Sequence, residues 1–139
     1  MIYLRGNAMP SRYQIAFYVC QDGCCPVEDY MFDGRNITEL SILVNVLQRL
    51  AMVGQKIIDT EMAKHISGPI FELRKDFHRI MYAEDKRING FVILSAFWKE
   101  TPKTPPQEIE KAFKYLQDYR DHQRVQFLEI PLDENLINL

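Results

Sequence analysis

The chain has 139 residues, 47% of them hydrophobic and 26% charged, which fits one globular domain and excludes disordered and fibrous classes. Lys and Arg total 17 against 19 Asp and Glu, so the net charge of −2 carries no overall basic excess of the kind that advertises nucleic-acid binding. No apolar run approaches the roughly 20 residues of a membrane helix, and the first ten residues carry Arg5 but no apolar signal-peptide core, so a cytoplasmic protein with no membrane partner is expected.

Residues 1–12 read as an N-terminal extension. From Tyr13 to Cys20, Tyr13, Ile15, Phe17 and Val19 alternate with Gln14, Ala16, Tyr18 and Cys20, which predicts a strand. Gln21-Asp22-Gly23 ends it in a turn. Cys20, Cys24 and Cys25 crowd this stretch. An odd count without an export signal argues against a disulfide framework, and a zinc site wants a second ligand pair. The reading is free thiols in a loop, with no metal and no cofactor.

Pro26 opens a short helix through Val27, Tyr30 and Met31, which Asp33-Gly34 closes. The clearest helix spans Asn36 to Val53. Ile37, Leu40, Leu43, Val44, Leu47, Leu50 and Ala51 recur at spacings of three and four on one stripe. Asn36 suits the N-cap, Glu39 the capping-box position and Gly54 the C-terminal stop.

Beyond Ser67-Gly68-Pro69 two short strands are predicted, Ile70 to Arg74 and Phe77 to Ala83. A polar turn from Glu84 to Gly90 follows. Phe91 to Trp98 is almost continuously apolar, as a central strand buried on both faces would be. Thr104 is placed to cap the next helix, with Pro105 at its first position and Gln107 at the capping-box position. Ile109, Ala112, Phe113, Leu116 and Tyr119 form its buried stripe. Val125 to Ile130 is a possible extra edge strand in an acidic C-terminal extension, residues 121–139.

The expected fold class is α+β: a small, mostly antiparallel sheet, a three-strand meander within it, and N-terminal helices plus one C-terminal helix packed on one side of it. Charge is uneven along the chain. Residues 1–61 are −2, residues 62–120 are +3 and residues 121–139 are −3, so an anion would favour the middle.

The enzyme motifs sought are absent: no P-loop, G-x-G-x-x-G, G-x-S-x-G or H-E-x-x-H. What remains is a set of cations on or beside the predicted sheet, Arg74, Arg79, Lys99 and Lys103. The plain reading of Arg74 is a salt bridge to Glu72 or Asp76.

Four motifs in order give these cations a context: Phe71-Glu72-Leu73-Arg74, His78-Arg79-Ile80, Leu94-Ser95-Ala96-Phe97-Trp98-Lys99 and Lys103-Thr104-Pro105. The series resembles the phage-derived branch of the RelE/HigB-like toxins, with its E-L-R strand, Y-R-I strand, L-H-G-F-x-K-K-T-x-K-T-P run and following helix. Glu108-Ile109 and Ala112 also fall in step. The resemblance covers about residues 13–120, here read as a RelE-like domain, and is most specific over 71–112.

The resemblance implies the toxin of a type II toxin–antitoxin pair that cuts mRNA on the ribosome, with a helix-turn-helix antitoxin as partner. Its chemistry uses the RNA 2′-hydroxyl as nucleophile, cations on the developing phosphorane and proton transfer at both oxygens. By position Arg74, Arg79 and Lys99 are the catalytic candidates, and Lys103, Trp98 and His78 the substrate-binding ones. Arg forks suit phosphate, while a crowded Lys99 acts as base or as added charge. An exposed Trp98 can stack on a base. His78 titrates near neutrality, yet strand alternation turns it away from Arg79.

Ser95, Ala96, Glu100 and His78 depart from the family pattern, which carries His, Gly, Lys and Tyr there. These departures and the net charge leave an alternative, a catalytically degenerate interaction module of phage or mobile-element origin. The discriminator is whether Arg74, Arg79 and Lys99 converge or whether Glu100 neutralises one of them.

Overall fold

The computed structural model describes residues 12–128. In chain order these form strand β1 (Gln14–Tyr18), helices α1 (Pro26–Phe32) and α2 (Ile37–Val53), strands β2 (Ala63–Ser67), β3 (Ile70–Lys75), β4 (His78–Asp85) and β5 (Gly90–Trp98), helix α3 (Pro106–His122) and strand β6 (Val125–Phe127). The sheet order is β2-β3-β4-β5-β1-β6. Only the β1–β5 pair is parallel among these neighbours; the others run antiparallel. The α+β class and the mostly antiparallel sheet are as expected.

The helices do not share one side. Leu73, Ile80, Tyr82, Phe91 and Ile93 pack with α1 and α2, whereas Ile70, Met81, Ala83, Val92 and Leu94 pack with α3. Consecutive strand residues point to opposite faces, so strands apolar at every position need cover on both. The expectation of helices on one side is therefore corrected to a three-layer arrangement.

Helix α2 forms for the reasons its sequence gives. The Asn36 side chain accepts a hydrogen bond from the Glu39 amide, and Gly54 ends the helix at φ 66°. A Cβ on Gly54 would also lie 2.6 Å from the Tyr13 ring. By length and composition alone the stretch Ile37–Asp59 is apolar enough to span a membrane. Leu43, Val46, Leu47, Leu50, Ala51 and Ile57 instead lie in the core against the sheet.

The meander has four strands, not three, because β2 precedes β3. Its sequence, Ala-Lys-His-Ile-Ser, is short, polar and half exposed, as an edge strand is. Gly90 begins β5 where a Cβ would lie 2.1 Å from the Gln14 carbonyl oxygen, so only glycine permits β1 to approach there. Strand β6 pairs with β1 and makes the far edge, and the Leu128 amide donates to the Ile15 carbonyl. The rest of the predicted Val125–Ile130 strand and of the acidic extension lies outside the described residues, as do residues 1–11.

Free thiols do not describe the β1–α1 loop. Cys20 and Cys24 form a disulfide, and Cys25 is the buried free thiol. The tight turn in which the Gly23 amide donates to the Cys20 carbonyl brings Cys20 and Cys24 face to face.

Candidate functional site

Strand register builds two charged rows on the face that α3 partly covers. Lys64 of β2, Glu72 of β3, Met81 of β4 and Ser95 of β5 lie side by side, and the next row holds Arg74, Arg79 and Phe97. A bulge decides the membership of β5. Met81 pairs with Ser95 but Tyr82 pairs with Ile93, so Leu94 is an extra residue. The insertion shifts everything after it by one. Phe97 and, beyond the strand end, Lys99 therefore come to the face of Arg79. The Lys99 amide donates to the Phe77 carbonyl and fixes that position.

At the centre is Glu72, whose side chain is 0% exposed. Its Oε1 lies 3.6 Å from Arg79 Nε and 3.8 Å from Arg74 Nε, and its Oε2 accepts the Thr104 hydroxyl at 2.9 Å. Thr104 thus does not cap α3, which takes Pro105 as its N-cap with no side-chain hydrogen bond. Its hydroxyl is committed to the buried carboxylate, the polar group with the greater need of a partner. The plain reading of Arg74 holds in part, since Glu72 is its neighbour, but that carboxylate is shared.

Arg74, Arg79 and Lys99 converge. Burial lowers the Lys99 pKa; the Glu72 charge opposes that, and Arg79, Arg74 and Lys64 add to it. Burial also lowers that of Arg79, against the pull of Glu72. Four cations around one carboxylate leave a local charge of +3 in a chain of −2. A cavity of about 580 Å³ opens beside them, lined by Lys64, Arg74, Lys75 and Arg79 together with Glu61 and Asp76. Arg74 reaches solvent, with 36% of its side chain exposed. Lys99 is only 6% exposed. Arg79 Nη1 already donates to the Asp76 and His78 carbonyls, both at 2.8 Å.

The remaining candidates fall elsewhere. His78 is buried on the α1 side, opposite Arg79, with its Nδ1 2.7 Å from the Tyr30 hydroxyl. Burial lowers its pKa and Arg35 adds to that. Trp98 shares that side through its pairing with His78, and nearly half of it is exposed. Lys103 is an exposed loop residue whose carbonyl accepts the Thr101 hydroxyl. Glu100 neutralises none of the three cations; its carboxylate accepts the Trp98 indole N–H at 3.2 Å. Among the described residues, Cys20, Asp22 and Cys24 gather potential ligand atoms within 4.8 Å, but the two sulfurs are bonded to each other.

The stretch from α2 into α3, which carries these cations, matches a known family. Residues 36–117 match the family model described as phage-derived protein Gp49-like (DUF891). The chain belongs to this Gp49-like family. Its members fall within the RelE/HigB-like toxin superfamily. No curated protein matches the chain. Ser95 is buried in the Glu72 row with its hydroxyl unpartnered. Sequence reasoning did not single out Lys64, because β2 went unrecognised, nor the role of Thr104, because the Thr-Pro-Pro-Gln pattern reads as a cap. Glu72 was legible only as one partner of Arg74.

Proposed function

We propose that this Gp49-like protein is the toxin of a type II toxin–antitoxin pair, an mRNA endoribonuclease that acts with the ribosome in the cytoplasm and is held in check by a helix-turn-helix antitoxin. One observation carries the reading: Arg74, Arg79 and Lys99 gather around Glu72 beside an open basic cavity. Such a cluster suits a reaction in which negative charge builds on phosphorus.

In the proposed step the RNA 2′-hydroxyl oxygen attacks the adjacent phosphorus and the bond from phosphorus to the 5′ oxygen breaks. The departing 5′ oxygen takes a proton from solvent water, so a 2′,3′-cyclic phosphate and a free 5′-hydroxyl result. Arg74, the exposed member, meets the phosphate first and presents its guanidinium fork to two oxygens. Arg79 is held by its two carbonyl bonds and supplies fixed positive charge. Lys99, with its pKa lowered by burial, takes the 2′-hydroxyl proton from its neutral form. Glu72 keeps the three cations together despite their repulsion.

The test is induced expression in a bacterial host, with mRNA 5′ ends mapped and an Arg79→Ala Lys99→Ala variant alongside. Growth arrest with new 5′ ends is expected, and a loss of cleavage of about 10²- to 10⁴-fold in an equally abundant folded variant. Because Lys99 is buried and Arg79 partly so, Arg74→Ala serves as the milder control. No new ends from folded wild-type protein would overturn the nuclease reading.

A second reading is favoured by a specific observation. Arg79 is already hydrogen-bonded to backbone, Lys99 is nearly enclosed, and Ser95 replaces the histidine. On that reading the chain is a catalytically degenerate interaction module, and its expression leaves growth and mRNA intact while a partner protein still binds.

A further inference from the structure

Two large aromatic side chains stand in solvent at the same end of the sheet as the cation cluster. Phe77, in the turn between β3 and β4, is 54% exposed, and Trp98, at the end of β5, is 48% exposed. Their ring centroids lie 5.1 Å apart. Exposed apolar residues are common singly, but a buttressed pair is another matter. The edge of His78 meets the Trp98 ring at 5.1 Å, and Tyr30 of α1 braces His78 from behind by a hydrogen bond and an edge contact at 5.8 Å. The Trp98 indole N–H is occupied by Glu100. Asp76, at φ 53°, and the bond from the Lys99 amide to the Phe77 carbonyl fix the turn. The ledge is thus held in place from three directions and still leaves about half of each aromatic residue exposed.

We infer that the Phe77–Trp98 ledge is a stacking subsite for an unpaired nucleobase of single-stranded RNA, placed to receive a base next to the phosphate held by Arg74 and Arg79. The inference rests on the proposed RNA-directed role for its substrate class. Three features favour a base over other occupants. The ledge offers π faces and no free donor, which suits sequence-tolerant stacking. Its flanking charges, Asp76 and Glu100, are acidic, so they repel phosphate from the ledge itself. The cations that attract phosphate begin one residue away at Lys99 and two away at Arg79. A strand crossing the end of the sheet therefore meets charge on one face and aromatic surface on the other, as alternating phosphate and base require.

Trp98 is the only tryptophan in the chain, so its emission reports this ledge alone. The probe is a 2′-O-methyl RNA of about ten nucleotides, which lacks the nucleophile and fits a single-strand groove. Its control is the same backbone with abasic sugars and equal charge. The expected result is Trp98 quenching by the RNA but not by the abasic strand. Phe77→Ala should weaken RNA binding on the order of ten-fold and leave abasic binding unchanged. Equal quenching by both strands, equal affinity for both, or no binding of either would overturn the inference. So would Trp98 quenching by a protein partner in place of RNA. Because the probe cannot be cleaved, base-dependent quenching without any growth arrest in cells would sink the nuclease reading alone and leave the ledge standing.

Discussion

The two faces of one sheet are built from the same strands and solve burial differently. On the α1–α2 face, Leu73, Ile80, Tyr82, Phe91 and Ile93 meet Leu43, Leu47 and Leu50 in a continuous apolar layer. On the α3 face the apolar cluster includes Met81, Leu94 and Phe97, and beside it the buried Glu72 and Lys99 and the partly buried Arg79 carry charge. A buried charged cluster is a poor route to stability, since desolvation offsets most of its attraction. The α1–α2 face holds the fold together, and the charged end of the α3 face gathers cations beside an open cavity.

The largest effect expected follows from removing the centre of that cluster. Glu72→Ala leaves the buried Lys99 and the partly buried Arg79 without their shared counter-charge. Loss of a buried ion partner costs about 3–5 kcal/mol. Denaturant unfolding of the variant should show this as a lower midpoint with an unchanged slope. A loss below about 1 kcal/mol would mean the cations already reach solvent, and the contrast between the faces would fail.

The apolar face gives the second comparison. Leu47 is fully buried on α2. Leu47→Ala should cost about 3 kcal/mol from lost transfer and a residual cavity. It should leave phosphate or RNA binding at the other face unchanged per folded molecule. Thermal unfolding and an anion-binding titration on the same sample separate the two quantities. A binding defect in the folded variant would show that the faces are coupled.

How far this contrast can be read before folding depends on range. Helix α2 is written locally, in a periodic stripe with Asn36, Glu39 and Gly54 at its ends, and the structure follows it closely. The β3–β4–β5 meander is legible too, because its turns are short and its strands strongly apolar. Motif order names Arg74, Arg79 and Lys99 but leaves open whether they converge, and the physical cause of their convergence is not written locally. Lys99 reaches that face through the Leu94 bulge, a defect in pairing that no local pattern marks. Thr104 looks like a cap until a carboxylate 32 residues earlier claims its hydroxyl. The Cys20–Cys24 disulfide likewise depends on how tightly the loop turns, which cysteine counting does not reveal. Polar, long-range partners are what alternation and periodicity leave undetermined.

The smallest effect expected is a pH dependence at the other end of the α3 face. The Asp85 carboxylate accepts hydrogen bonds from Arg87 Nη2 at 2.9 Å and from the Tyr119 hydroxyl at 2.6 Å, tying α3 to the end of β4. The Arg87 hydrogen bond, against burial and with help from Tyr119, holds the Asp85 pKa down to about 2. The folded value lies below the unfolded one, so this contribution is fully present above about pH 4. It is lost as pH falls from there toward 2. Arg87 is more than half exposed, and solvent screening keeps the contribution small. Tyr119→Phe removes one of the bonds to the carboxylate, so the Asp85 pKa should rise and the acid-dependent part of stability should shrink. Stability measured at pH 2, 4 and 7 for both proteins reads this directly. An identical acid profile in the variant would mean that α3 is held by its apolar stripe alone, and that the two faces differ less than their charges imply.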